Sequence, residues 1–76
     1  MPAENEKQEQ VKKLEQLSRK EKEVFGLILE NKTNKQIASD LFIELNTVKS
    51  HITKIYQKLE INSRKELINT FNQGLL

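Results

Sequence analysis

Large apolar residues recur along this chain in short stripes at helical spacing, separated by polar residues of the kind that start and stop helices. Val24, Leu27 and Ile28 fall at i, i+3 and i+4, the stripe of a helix packed on one side, and they predict a helix over about 19–30. Immediately before it, S-R-K-E at Ser18 to Glu21 offers a capping box, in which hydroxyl and carboxylate each accept from the other residue's amide. Asn31 follows as a left-handed stop, because its short polar side chain tolerates positive φ. A second box, T-N-K-Q at Thr33 to Gln36, opens a short helix ending near Leu41, with Ile37, Ala38 and Leu41 facing inward. Phe42, Ile43 and Glu44 make a tight connection to the stretch 45–59, where Val48, Ile52, Ile55 and Leu59 form one continuous stripe at i, i+4, i+7 and i+11. A third box, S-R-K-E at Ser63 to Glu66, starts a last helix carrying Leu67, Ile68 and Phe71. Residues 3–16, by contrast, offer only Val11 and Leu14 as large apolar positions, too few to bury a face. The expected organisation is a polar linker or frayed helical extension over 1–16, and over 17–76 an all-α domain, a four-helix bundle.

Composition narrows the classes of function. The 76 residues include one proline and two glycines, at Pro2, Gly26 and Gly74, so the interior is rich in helix formers and poor in turn signals. There is no cysteine, which rules out a disulfide framework and thiolate zinc sites. His51 is the only histidine and has no second ligand at metal spacing; packing at the helix edge or a phosphate hydrogen bond suits it better than a metal. No apolar run approaches the roughly 18 residues that cross a membrane, and the expected setting is cytoplasmic, with no membrane contact. Gly-rich phosphate loops, nucleophiles paired with a base and paired acids in a cleft are all missing from the sequence, so no enzyme, catalytic residue or cofactor is expected.

Charge matters by its distribution rather than its sum. The net value is only +2. Residues 1–16 carry four acids against three bases, whereas 45–65 carry Lys49, Lys54, Lys58, Arg64 and Lys65 against Glu60 alone. A local basic stripe of this kind is the footprint of a nucleic-acid contact, although a solvated helix face has the same composition. Two helices joined by a short turn, the second longer and basic, match a helix-turn-helix, whose second helix enters the major groove of double-stranded DNA. With the apolar stripe turned inward, Lys49, Ser50 and Thr53 project together near the start of that helix, where lysine can meet guanine and hydroxyls can meet base edges. Thr33, Asn34 and Lys35, at the start of the preceding helix, combine amides, hydroxyl and cation and suit phosphate. Lys58, Arg64 and Lys65 extend the basic surface, with backbone contact and plain solvation as the two readings. Tyr56 and three phenylalanines make no stacking array for single strands.

The stretch from Leu17 to about Phe71 resembles the LuxR/GerE-type DNA-binding domain, also found at the C-terminus of NarL-type response regulators. The resemblance is carried by L-S-R-K-E-K-E-V-F from Leu17, T-N-K-Q-I-A-S-D-L-F-I from Thr33, T-V-K-S-H-I from Thr47 and I-Y-Q-K-L-E-I-N-S-R from Ile55. It implies transcriptional regulation, a third helix in the major groove and dimerisation through helix 4 on inverted half-sites. On the residues alone, Leu67, Ile68 and Phe71 read as core or as the surface of such a homodimer, and the surface is favoured because so small a domain cannot easily hide all three; RNA polymerase is a further expected partner. By position the resemblance assigns base reading to Lys49, Ser50 and Thr53. Phosphate contact falls around Thr33, Asn34, Lys35, Thr47, His51 and Lys54, with Lys58 added from the basic stripe. The sequence departs from the family pattern where Glu44 replaces the usual serine and where Asn31 and Glu60 replace glycine. Glu44 suits the helix dipole but lies close to the expected phosphates, which keeps open an alternative, a helical protein-interaction module that has lost DNA binding.

Overall fold

The computed structural model describes residue 9 and residues 11–74, with side chains as far as Phe71. Four helices follow a helical stretch at 11–15: α1 (Arg19–Leu29), α2 (Asn34–Leu41), α3 (Leu45–Leu59) and α4 (Arg64–Gly74). The described residues contain no strand, and the all-α, four-helix expectation is met.

Local chemistry sets the helix starts. At α1 the Ser18 hydroxyl accepts from the Glu21 amide at 3.2 Å, and the Glu21 carboxylate accepts from the Ser18 amide at 2.9 Å. Thr33 and Gln36 repeat this exchange at α2, at 3.1 and 2.9 Å. At α4 the expected box is offset: Ser63 accepts from the Glu66 amide at 3.1 Å, but the Glu66 carboxylate accepts from Asn62 at 2.6 Å. Only α3 starts without a side-chain cap, at Glu44.

The helix ends share a left-handed residue. Asn31, Phe42 and Glu60 have φ of 64°, 56° and 57°. In each case the next amide reaches back to close the last turn, from Lys32 to Leu27 at 3.1 Å, Ile43 to Ala38 at 3.0 Å and Ile61 to Tyr56 at 3.0 Å. Asn31 thus takes the left-handed geometry expected of it; Glu60 takes it where the family pattern has glycine, at a cost of roughly 1 kcal/mol, and Phe42 does so without any sequence signal for it.

The core gathers around α3, which packs on α1 and α2 while α4 closes against α1. Val24 and Ile28, Ile37, the α3 stripe of Val48, Ile52, Ile55 and Leu59, and then Leu67 and Phe71 are all buried. The Phe25 and Phe71 rings meet edge to face, 5.3 Å between centroids. Burying each large apolar side chain contributes about 1.5–3 kcal/mol, whereas an exposed pair such as Lys20–Glu23 contributes about 1 kcal/mol or less, so apolar burial fixes how the helices sit. This corrects the expectation for helix 4. Leu67 and Phe71 are 0% and 1% exposed and are core residues, so neither is available to a partner; Ile68, half-buried, is the one residue of the three at the surface. The helical stretch at 11–15 also contributes more than expected, with Leu14 packed on the core and Lys13 paired to Glu60 at 3.0 Å.

Candidate nucleic-acid interface

With its apolar stripe facing inward, α3 leaves Asn46, Thr47, Lys49, Ser50, Thr53, Lys54 and Gln57 exposed on the opposite side. All three residues expected to read bases and two of those expected to hold phosphate therefore share one solvent-facing surface. His51, Tyr56 and Lys58 are half-buried along its margins. The Thr53 hydroxyl donates to the Lys49 carbonyl at 3.0 Å, which commits its proton and leaves its methyl group and oxygen lone pairs for an incoming ligand. Two further exposed residues lie on this face. Asn46 and Gln57 complete a second stripe, Asn46–Ser50–Thr53–Gln57, at the same i, i+4, i+7, i+11 spacing as the core stripe two residues later. Neither carries a charge or falls at a position that the family resemblance marks for base reading.

The start of α2 is a second exposed donor region. Its capping box consumes the Thr33 and Gln36 amides, leaving those of Asn34 and Lys35 without a side-chain partner. Thr33 and Lys35 are exposed. Asn34 is half committed: its carbonyl oxygen accepts from Arg64 Nη1 at 3.0 Å, leaving its amide NH2 to donate. Arg64 also donates through Nη2 to the Lys32 carbonyl and so fastens the start of α4 to the start of α2. Burial pushes the Tyr56 hydroxyl above its ordinary pKa, with the nearby positive charge of Arg64 opposing.

Lys58 has prior work of its own. Its ammonium lies 2.7 Å from the carboxylate of Glu21, the one buried charged residue among those described, at 4% exposure. Burial alone would raise the pKa of Glu21. Hydrogen bonds from Lys58 and from the Ser18 amide, with the positive charges of Lys58 and His51, outweigh that and hold it below the usual carboxylate range. The pair ties the cap of α1 to α3, and Lys58 is thereby the weakest of the phosphate candidates. No group of three or more metal-ligating side chains occurs among the described residues, and none of their helices is long and apolar enough to cross a membrane.

Residues 15–71 match the family described as bacterial regulatory proteins, luxR family. The chain belongs to that family. As a luxR-family domain it is 48% identical over 52 residues to the transcriptional regulatory protein LiaR of Bacillus subtilis, a match covering 68% of this chain and 25% of LiaR. It is 44% identical over 52 residues to the spore germination protein GerE of the same organism, covering 68% of this chain and 70% of GerE. Over 59 residues it is 44% identical to the HTH-type transcriptional regulator MalT of Vibrio cholerae, covering 78% of this chain and 6% of MalT. The luxR-family segment is thus most of GerE but a small part of LiaR and MalT. Membership makes this a helix-turn-helix domain of DNA-binding transcriptional regulation and not an enzyme.

Proposed function

We propose that the domain binds double-stranded DNA sequence-specifically, with α3 in the major groove. In this reading Lys49, Ser50 and Thr53 meet base edges, while Thr33, Asn34, Lys35, Thr47, His51 and Lys54 hold the flanking phosphates. The observation that carries it is the division of α3 into a wholly buried apolar stripe and an exposed polar face bearing Lys49, Ser50 and Thr53. Exposed hydroxyls and ammonium groups on a helix anchored by four buried residues are preorganised for readout, since the scaffold need not move to present them. Two copies joined through the Ile68 side of α4 would engage inverted half-sites, in the cytoplasm, as the output part of a response regulator or similar protein, with RNA polymerase as a further partner.

The test is a comparison of two DNAs. Lys49→Ala and Thr53→Ala are each expected to weaken binding to a preferred site by about 1–3 kcal/mol, and to weaken random duplex much less. Equal losses on both DNAs would move these residues to the phosphate-contacting set. Binding to both should fall steeply with salt, in proportion to the phosphates neutralised.

A further inference from the structure

We infer that Asn46 is a base-reading residue and that it selects adenine. The inference rests on the proposed docking of α3 and goes beyond it, because Asn46 belongs to neither residue set named there. At about 100° per residue, Asn46 lies within about 40° of both Ser50 and Thr53 around the axis of α3, closer to the middle of the exposed face than Lys49. It sits in the first turn, the end of a recognition helix that reaches base edges. Gln57 shares the stripe but lies about 16 Å further along the axis, toward the end leaving the groove.

The chemistry of the side chain decides the base. A carboxamide offers one donor and one acceptor side by side, which matches the N7 acceptor and N6 donor of adenine in the major groove. Guanine presents two acceptors there and cytosine a donor only, so neither pairs with both ends of the amide. Asn46 is exposed, and its amide makes no side-chain hydrogen bond among the described residues, so both groups are available. Asparagine is also a poor helix former, so the fold gains little from it at this position.

Sequences bound from a random duplex pool by the full wild-type chain and by Asn46→Ala test this. The wild type should enrich a site with adenine at one position, and Asn46→Ala should lose the preference at that position alone while keeping the others. Replacing that adenine with 7-deazaadenine, which lacks the N7 acceptor, should weaken the wild type roughly fivefold to a hundredfold and leave Asn46→Ala unchanged. A thermal melt of Asn46→Ala no lower than wild type checks that the fold is intact. Retention of every base preference by Asn46→Ala, or an equal loss on all duplexes, overturns the assignment while leaving α3 in the groove. Failure of the wild type to enrich any sequence overturns the docking as well.

Discussion

Phe42 is 94% exposed and holds φ at 56°, so one residue combines an aromatic ring in water with a backbone geometry that side chains resist. The reach of Ile43 back to Ala38 requires that geometry to close α2 before the turn into α3. Glycine meets the requirement without a Cβ, and Phe42→Gly is expected to raise stability by about 1 kcal/mol, or roughly 4–8 °C in thermal midpoint for a domain of this size. A lowered midpoint would mean that the ring packs usefully in solution. Two residues on, Glu44 begins α3 without any side-chain cap. In the proposed complex its carboxylate stands near DNA phosphate, where it opposes binding whatever the base sequence. Glu44→Ser should add a cap worth about 0.5–1 kcal/mol to stability and strengthen binding to specific and random duplex alike. Gel-shift titrations on both DNAs check this, and an unchanged affinity would place Glu44 away from the backbone.

Helix limits were legible in the sequence because the signals that set them are local. The box at Ser18 and the stop at Asn31 predict 19–30, and α1 runs Arg19–Leu29. Contacts between helices were not legible, because nothing within a few residues of either partner specifies them. Glu21 announces itself as the fourth residue of a capping box, yet it also takes Lys58 from 37 residues away. Likewise Arg64 reads as a free cation but is spent on Lys32 and Asn34. The polar face of α3 was half legible: charge drew attention to Lys49, while Asn46 needed the geometry of the whole stripe. The Glu21–Lys58 contact carries its own pH signature. Because the folded carboxylate is held below its ordinary value of about 4.3, it contributes stability above that pH and loses it as pH falls through the folded value. Glu21→Gln keeps an acceptor for the Ser18 amide but loses the charge, and since Lys58 is partly solvated the cost should be about 1 kcal/mol at pH 7. Urea unfolding should show that deficit narrowing as pH falls below the ordinary carboxylate value and through the folded one; a deficit that stays constant with pH would show that the ion pair contributes nothing.

Across the molecule, nearly every large apolar side chain of the four helices is drawn to one side of its helix and into a single core, which limits what remains to hold a second copy. An apolar stripe on the last helix looks from sequence like either core or interface, and burial decides for core at Leu67 and Phe71. Leu67→Ala would therefore disrupt folding, at about 2–5 kcal/mol, and say nothing about assembly. Ile68 is the informative position, half-buried beside exposed Lys65 and Asn69. In Ile68→Lys the methylenes can still cover the core edge while the ammonium reaches water, so the fold should survive and an apolar contact between copies should not. If two copies meet there, the wild type should occupy DNA with two inverted half-sites cooperatively. Ile68→Lys should then bind a single half-site normally but lose the cooperativity. Sedimentation of each protein with one-site and two-site duplexes measures both quantities. Independent filling of the two half-sites by the wild type would sink the α4 dimer and leave the α3 interface to act as a monomer.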